Sequence, residues 1–491
     1  MLRKLRIILA AIVFILCAAL FLDGSGTVSS WFGWIAKIQF LPALLALNLA
    51  VVIVLIILTL IFGRVYCSVI CPLGIMQDGI SRISAMRKGK KARFRWSPEV
   101  KWLRYSVLAL FIIALVAGLT SVAALLAPYS AFGRIATTLV RPALPTAIIA
   151  GVTLLVVGIL AWLGGRTYCN TICPVGTTLS FFSRFSLLRP VIDASKCRDC
   201  HACEHKCKAS CINIDNHEID YSRCVDCFDC IDSCKFGALK YRKAWGRKSG
   251  AEAAVSDKAA DSAAGVRVVP SAGNNASGEN HDAGRRAFIS SSVIAATAIA
   301  LKAQEKKVDG GYAAVTAKKA PERTNPIVPF GAVSLKHFHQ HCTGCQLCVS
   351  QCPNDVLRPS TSLDRLMQPE MSYENGWCRP ECTKCSEVCP AGAILEITPE
   401  EKTAIHVGTA SVDLDLCVVN RDNVSCGNCA RHCPAGAIKM VRKNPDDENS
   451  LRIPTVLEDR CIGCGACEFL CPSRPYSAIH VNGRIEHVDN R

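Results

Sequence analysis

The chain has 491 residues, and 30 of them are cysteine. This length indicates more than one domain, and the tight clustering of the cysteines excludes the disulfide framework of a small secreted protein. The net charge of +16 lies wholly in residues 1–192, where 19 basic residues stand against three acidic ones. That half is strongly apolar and lacks the aromatic and basic pattern of a nucleic-acid surface. The charge therefore indicates membrane orientation and excludes nucleic acid as a partner.

The apolar half contains runs of about the 20 residues that a helix needs to cross a bilayer. They cover residues 6–22, 40–62, 105–127 and 143–164. We therefore predict an α-helical membrane bundle with four spans over residues 1–190. Of the 19 basic residues, 16 lie at the N-terminus, in the loop 64–104 and after the fourth run. These segments are predicted to be cytoplasmic.

Two nearly identical segments follow the second and fourth runs: GRVYCSVICPLG at 63–74 and GRTYCNTICPVG at 165–176. The proline after each second cysteine predicts the end of a helix. Two crossings separate the segments, so both emerge on one face and their thiols are predicted to converge. The site could hold a cubane cluster, act as a redox dithiol pair or border a quinone pocket. Its cysteines are Cys67, Cys71, Cys169 and Cys173.

Few ionisable side chains accompany these cysteines. Asp78 is the only acidic residue near them, which makes it a candidate proton acceptor for quinol oxidation; an ordinary solvated residue is the alternative. All 11 histidines lie beyond residue 200, which excludes a histidine-ligated haem in the apolar half. Cys17, alone in the first run, is predicted to be a packing residue.

Residues 191–240 contain CRDCHACEHKC and CVDCFDCIDSC, the spacing of a two-cluster ferredoxin. In such modules the fourth cysteine of each motif ligates the other cluster. One predicted 4Fe–4S set is Cys197, Cys200, Cys203 and Cys234, and the other is Cys224, Cys227, Cys230 and Cys207. Lys208 and Lys235 stand where proline is usual, and Cys211 is left over as a spare thiol. CRDCH also matches a haem attachment motif, but Cys200 cannot serve both uses.

The segment after this module differs in composition. Residues 241–283 are rich in small and polar residues and are predicted to be a flexible linker. Residues 284–303 begin GRRAF and continue with a short apolar run, which resembles a twin-arginine (Tat) export signal; a fifth membrane helix is the alternative. Residues 304–328 are predicted to be a second linker.

Residues 329–491 carry a second ferredoxin module with four motifs that each end in Cys-Pro. Sixteen thiolates make four 4Fe–4S clusters, so the chain is predicted to hold six in all, or seven if the first four cysteines also bind one. We expect the outer motifs to pair with each other, and likewise the inner ones. The motifs are Cys342, Cys345, Cys348, Cys352; Cys378, Cys382, Cys385, Cys389; Cys417, Cys426, Cys429, Cys433; and Cys461, Cys464, Cys467, Cys471. Three histidines before the first motif (His337, His339, His341) are predicted to lie in a solvated loop.

The predicted fold is therefore a membrane bundle plus two small α+β ferredoxin-like modules. The sequence contains no phosphate loop, dinucleotide fingerprint or Ser-His-Asp array. A row of clusters without such a site indicates electron transfer.

These motifs resemble a known protein family. Residues 1–240 are similar to NapH/MauN-type membrane ferredoxin proteins, on the two Cys-x-x-x-Cys-Pro segments and the two cubane motifs. Residues 284–491 are similar to NapG/MauM-type exported ferredoxins, on the twin arginine and the four cluster motifs. The chain thus resembles a fusion of two proteins that are usually separate subunits of a quinol dehydrogenase.

The resemblance implies electron transfer from the membrane quinone pool to a periplasmic reductase or multihaem cytochrome. It implies a multi-pass protein of the bacterial inner membrane, with residues 191–240 cytoplasmic and residues 304–491 periplasmic. The alternative is a membrane ferredoxin of the NosR or RdxA type, which supports regulation or maturation of a respiratory metalloenzyme. The four clusters of the second module argue against that alternative.

Overall fold

The computed structural model describes residues 2–23, 27–88, 94–117, 120–141, 144–243, 308–309, 313–314 and 316–490. The predicted linker beyond residue 243 and the predicted export signal at 284–303 lie outside the described residues, as does most of the second linker. Three regions are described: a helical region up to residue 187, a first ferredoxin module and a second one.

The helical region is a series of helices of very different lengths. Its helices are α1 (Leu2–Leu22), α2 (Thr27–Phe32), α3 (Trp34–Lys37), α4 (Phe40–Leu45), α5 (Leu49–Phe62), α6 (Pro72–Lys88), α7 (Lys101–Val116), α8 (Thr120–Leu126), α9 (Pro128–Val140), α10 (Leu144–Gly164), α11 (Thr167–Thr171) and α12 (Pro174–Ser183). A π-helical turn, Tyr66–Ile70, lies between α5 and α6.

The prediction of four or five membrane spans is wrong. Among the described residues, only Leu2–Leu22 and Thr146–Gly164 form helices long and apolar enough to cross a membrane. The predicted span 40–62 is divided because Leu47 adopts a positive φ of 53° and the Asn48 side chain caps α5 by accepting from the Val51 amide. The 14 residues of α5 rise only about 21 Å, short of a hydrocarbon core of about 30 Å. The third run is divided between α7 and α8.

Several of the basic residues that suggested membrane orientation are buried inside the protein. Arg64, Arg104, Arg134 and Arg166 have no exposed side-chain surface. Arg104 pairs with Glu99, its Nη1 lying 2.6 Å from Oε1. The positive charge of this half therefore has an internal structural role that counting basic residues does not reveal.

The first ferredoxin module is built with internal symmetry. Strand β1 (Leu188–Ile192) pairs antiparallel with β4 (Leu239–Lys243), and β2 (Ile212–Asn213) pairs with β3 (Glu218–Ile219). Between them lie two short helices, α13 (Ala202–Lys206) and α14 (Asp229–Ser233), each containing the third cysteine of its motif. The small core includes Ile212, Ile214 and Leu239 together with the cysteines.

The second module repeats this plan. Its strands are β7 (Leu357–Pro359), β8 (Pro369–Met371), β9 (Ile405–Val412), β10 (Ile438–Arg442), β11 (Arg452–Val456) and β12 (Ile479–Asp489), preceded by the short pair β5 (Val308–Asp309) and β6 (Ala313–Ala314). The antiparallel pairs are β5–β6, β7–β8, β10–β11 and β9–β12. Its helices are Leu335–His341, Leu347–Gln351, Lys384–Glu387, Pro399–Ala404, Val418–Arg421, Asn428–Arg431 and Ala466–Leu470, with a 3-10 turn at Leu363–Arg365. The α+β prediction holds for both modules.

The two ferredoxin modules contact opposite ends of α1. At its N-terminal end, Arg3 Nε lies 2.6 Å from Asp229 Oδ1 of the first module. At its C-terminal end, the Leu20 and Asp23 carbonyls accept from Gln351 Nε2 of the second module, at 2.7 and 2.6 Å. A helix of 21 residues is about 31 Å long, so α1 separates the modules by roughly the thickness of a hydrocarbon core.

Candidate metal centres

The first module gathers its cysteines into two groups of four. One cavity is lined by Cys197, Cys200, Cys203 and Cys234, and the next by Cys207, Cys224, Cys227 and Cys230. In each group the isolated cysteine comes from the other motif. These are the sets that the exchange of fourth ligands predicts; that they ligate iron stays a prediction.

A fifth thiol belongs to the second of these groups. Cys211 is buried, its Sγ lies 3.4 Å from that of Cys207, and it lines the same cavity. Its amide also donates to Cys207 Sγ at 3.5 Å. The spare thiol of the sequence is therefore adjacent to a predicted ligand.

The two lysines that replace proline have different surroundings. Lys208 is half-buried, and its ammonium lies 2.8 Å from Asp229 Oδ2 and 3.6 Å from Asp78 Oδ1. Its carbonyl accepts the Arg166 amide at 2.9 Å. Lys235, at the equivalent place after the second motif, is exposed. Lys208 therefore docks the module on the helical region, a role that the sequence did not indicate.

In the second module each motif groups with its neighbour along the chain. Separate cavities are lined by Cys342, Cys345, Cys348 and Cys389; by Cys352, Cys378, Cys382 and Cys385; and by Cys433, Cys461, Cys464 and Cys467. Cys429 interacts electrostatically with Cys417, Cys426 and Cys471, which completes the fourth group. The predicted pairing of the outer motifs with each other is therefore wrong.

A hairpin explains why neighbouring motifs pair. The strand pair β7–β8 lies between the first two motifs, and β10–β11 lies between the last two. In the first module β2–β3 lies between its two motifs in the same way. Each hairpin reverses the chain direction and brings the second motif next to the first. The fourth cysteine of each motif therefore joins the cysteine group of the motif on the other side of the same hairpin.

The donor sets suit cubane clusters better than single ions. Each of the six groups offers only sulfur, which favours iron–sulfur chemistry or zinc. Among the described residues, only Cys197, Asp199 and His217 place three ligand atoms within 4.8 Å of one another. A tetrahedral zinc site, with Zn–S bonds of about 2.3 Å, would bring four sulfurs to about 3.8 Å apart. Burial raises the pKa of the Cys203 thiol to about 12, so metal binding would have to displace its proton.

One buried cation lies beside a predicted cluster. Lys402 is 1% exposed, and its ammonium donates to Cys378 Sγ at 3.2 Å and to the carbonyls of Arg379, at 2.6 Å, and Cys382. It also lies over the Phe330 ring, 4.9 Å from the centroid. Sequence reasoning missed Lys402 because it follows its motif by 13 residues and belongs to no ligand spacing.

The structure also brings together the four cysteines of the helical region. All are buried, and Cys173 interacts electrostatically with the other three. Each proline after the second cysteine begins the next helix: Pro72 opens α6 and Pro174 opens α12. Cys173 is the N-cap of α12, where its Sγ accepts the Gly176 amide at 3.4 Å.

Asp78 is not the solvated residue that the sequence allowed. It is buried and ion-paired with Arg6, Arg166 and Lys208. Burial alone would raise the pKa of this carboxyl, but these three cations lower it below its usual value. A carboxylate so stabilised does not favour accepting a proton near neutral pH. Its role as a proton acceptor stays a prediction.

The three histidines before the first motif of the second module lie in a helix, so the predicted loop is wrong. They occupy Leu335–His341, where the ring centroids of His337 and His341 lie 4.3 Å apart. His339 pairs with Gln368, and the Ser334 side chain caps the helix. The cap and the stacked rings give these residues a local structural role.

Comparisons with known proteins agree with this geometry. A model described as a 4Fe-4S binding domain matches residues 44–91 and 144–191, and two 4Fe-4S dicluster models match residues 341–405 and 424–474. The first dicluster match covers the first two motifs of the second module. The next covers the last motif and most of the third, as the hairpin pairing requires. No solved structure matches the chain.

Curated relatives carry related names. The chain is 31% identical to the methylamine utilization ferredoxin-type protein MauM of Methylobacillus flagellatus over 33% of this chain and 70% of that protein. It is 31% identical to the ferredoxin-type protein NapG of Escherichia coli, over 38% of this chain and 81% of that protein. The ferredoxin-type protein NapF of the same organism is 24% identical over 36% of this chain and 98% of its own length. Each relative covers about a third of this chain.

Proposed function

Since the chain belongs to the family of ferredoxin-type proteins that includes MauM and NapG, we propose that it transfers electrons from membrane quinol to a periplasmic reductase or cytochrome. It uses six 4Fe–4S clusters, two in the first module and four in the second. The N-terminal half, which resembles NapH/MauN-type proteins, is joined to this ferredoxin as one chain.

The position of the two modules at opposite ends of α1 carries this proposal. Asp229 and Gln351, which make the two contacts, lie on different modules and bind opposite ends of one apolar helix. Electrons that enter one module can therefore leave from the other after crossing the length of α1. A soluble ferredoxin would not need such a separation.

Membrane association rests on the apolar surface of α1 and α10. Both helices expose large aliphatic side chains, including Ile8 and Ile15 on α1 and Val152 and Leu155 on α10. Apolar surface of this extent is typical of contact with lipid or with another protein. We assign these two helices to the bacterial inner membrane, with the first module on the cytoplasmic side and residues 304–491 on the periplasmic side.

The proposal is tested with the full-length protein purified without oxygen. A short-chain quinol is added, and the cluster signals are followed by electron paramagnetic resonance (EPR) at low temperature. We expect quinol to reduce some of the clusters, and the reduced fraction should depend on the cluster potentials. Oxidised quinone should produce no EPR signal of reduced clusters. The proposed function would be overturned if dithionite reduced the clusters but quinol left them oxidised at every ratio of quinol to quinone.

A further inference from the structure

The two motifs of the first module lie in equivalent surroundings. Before the first cysteine of each motif, a serine hydroxyl donates to an aspartate at 2.6 Å, from Ser195 to Asp193 and from Ser222 to Asp220. After the second cysteine of each motif the backbone is left-handed, and a five-residue helix, α13 or α14, follows. The residues around the two cluster groups can therefore be compared position by position.

The helical region covers one of the two equivalent faces of this module. The Ser222 carbonyl accepts from Arg64 Nη1 at 2.9 Å, and the Ala209 carbonyl accepts from Asn170 Nδ2 at 3.3 Å. Asp226 is 4% exposed and lies beside Arg64. We call this the docked face, and its residues are Lys208, Ala209, Ser222, Val225 and Asp226.

The equivalent face, around the other cluster group, is open to solvent. The motif spacing identifies the residue that corresponds to each member of the docked face. We call this the open face, and its residues, in the same order, are Lys235, Phe236, Ser195, Arg198 and Asp199. All five of them are exposed. One of two equivalent faces is thus accessible to a partner outside the described chain.

The side chains of the open face suit a protein partner. Arg198 stands where the docked face has the buried Val225, and Phe236 stands where it has the buried Ala209. The Arg198 guanidinium lies 4.9 Å from the centroid of the Phe236 ring, and Phe236 is 43% exposed. Arginine and aromatic side chains are enriched at protein–protein interfaces. An exposed pair of this kind therefore indicates a contact surface.

The open face also brings a predicted cluster ligand to the surface. Of the 30 cysteines, all of which lie among the described residues, only Cys200 is exposed. It lines one cavity together with Arg198 and Phe236. Cys203 of the same group interacts electrostatically with Cys230 of the neighbouring group, which lies toward the docked face. A partner on the open face would thus meet the outer end of the two groups.

The charge of the open face is positive. Asp193 pairs with Lys196, with a distance of 3.7 Å between Oδ2 and Nζ, and also interacts electrostatically with Arg242. Asp199 pairs with His217 at 2.8 Å. The basic residues on and beside the face are Lys196, Arg198, Lys235, Lys240 and Arg242. Five cations against two acids attract a partner with an acidic surface and speed its association.

We propose that the open face binds a soluble, acidic one-electron carrier protein with a flavin or an iron–sulfur cofactor. The carrier delivers electrons to the cluster at Cys197, Cys200, Cys203 and Cys234. In this step the reduced carrier loses one electron and the oxidised cluster gains it; no bond forms or breaks, and no proton is transferred. The inference rests on the clusters of the proposed function but not on quinol, to which the carrier is a second electron source.

The transfer is tested by stopped flow with the full-length chain in nanodiscs of neutral phosphatidylcholine, without oxygen. The probe is reduced flavodoxin, an acidic flavin protein, and its oxidation to the semiquinone is followed by absorbance. The second-order rate constant should fall about tenfold when the salt concentration rises from about 50 mM to about 500 mM. This dependence is expected because salt screens the attraction between the two surfaces.

Charge reversal on the open face separates binding from an altered cluster potential. Lys196→Glu/Lys235→Glu should react about tenfold more slowly than the unaltered chain at low salt, and at the same rate at high salt. A changed potential would slow the reaction at both salt concentrations. The matched control is Lys439→Glu, which reverses an exposed lysine of the second module and should react like the unaltered chain.

Chemical cross-linking locates the surface without using the clusters. A carbodiimide joins carboxylates of flavodoxin to lysine amines in direct contact with them, and mass spectrometry identifies the joined peptides. Cross-links are expected at Lys196 and Lys235 and not at Lys439. If the double variant lost iron, this measurement on the unaltered chain would decide.

Several results would overturn the carrier site. They are a rate that does not depend on salt, equal rates for the double variant and the control at low salt, a deficit that persists at high salt, or cross-links at Lys439 alone. Slower hydrogen exchange over residues 194–200 and 235–240 in anionic nanodiscs than in neutral ones would assign the face to lipid instead.

The outcome is distinguishable from failure of the proposed quinol reaction. If dithionite reduces the clusters and flavodoxin reduces none, only the carrier site is refuted. If flavodoxin reduces them as expected and quinol does not, the carrier site stands and the quinol reaction falls.

Discussion

The ammonium of Lys402 donates a hydrogen bond to the Sγ of Cys378, 3.2 Å away, from a site that is 1% exposed. A positive charge so close to a predicted ligand stabilises the reduced, more negative form of the cluster. Lys402→Met should therefore lower the potential of the cluster at Cys352, Cys378, Cys382 and Cys385 by on the order of 100 mV. The measurement is an EPR-monitored redox titration.

The control for this prediction is Lys439→Met, which removes an exposed lysine from β10. Because water screens an exposed charge, the control should leave all potentials in place. If the two variants gave the same cluster potentials in the redox titration, Lys402 would not affect the potential of the cluster.

Asp78 is expected to hold the first module on the helical region. Asp78→Asn leaves Arg6, Arg166 and Lys208 without their shared carboxylate, and breaking a buried ion pair in this way costs about 3–5 kcal/mol. Hydrogen exchange over residues 188–243 should become much faster. Asp232→Asn, which removes a more exposed partner of Arg3, should change exchange little.

The pH dependence of this docking follows from the lowered pKa of Asp78. A carboxyl with a depressed folded pKa contributes stability above its unfolded pKa of about 3.9, and that stability is lost as the pH falls through the folded value. Docking should therefore stay constant between about pH 5 and pH 8. A loss of protection within that interval would contradict this role for Asp78.

The two lysines that replace proline provide a matched pair. Lys208→Pro removes the ion pairs with Asp78 and Asp229, so the module should release from the helical region and become sensitive to limited proteolysis. Lys235→Pro changes the equivalent but exposed position and should leave the digestion pattern as it is. Identical digestion of both variants would rule out a docking role for Lys208.

Cys211 is expected to replace a lost ligand. In Cys207→Ala, the Cys211 sulfur, originally 3.4 Å from that of Cys207, can take the vacant iron, and the iron content should stay close to that of the unaltered protein. Cys234→Ala, the symmetric change in the other group, should lose about four iron, as should the double variant Cys207→Ala/Cys211→Ala. Iron analysis and EPR of the reduced proteins provide the measurement. Loss of the cluster from the single variant Cys207→Ala would show that Cys211 does not replace Cys207 as a ligand.

The cluster groups of the first module could be predicted because ligand spacing and the exchange of fourth cysteines are local rules. The groups of the second module were predicted incorrectly. Their pairing depends on the hairpins β7–β8 and β10–β11, whose short strands give little periodicity. The number of spans was also wrong, since hydropathy does not register the break that Leu47 and Asn48 make in an apolar run.

The sequence by itself determined the chemistry of this protein: sulfur ligands in cubane spacing, a duplicated Cys-x-x-x-Cys-Pro segment and a basic apolar half. These features are contained in neighbouring residues, so the order of the chain is enough to find them. Only the tertiary structure decided what the arginines and lysines do. Arg64 donates a hydrogen bond to a cysteine carbonyl of the other repeat. Lys208 pairs a ferredoxin module with the helical region, and Lys402 donates to a predicted cluster ligand. Such roles depend on burial and on contacts between distant segments, because a charge acts over the few ångströms around it and not along the chain.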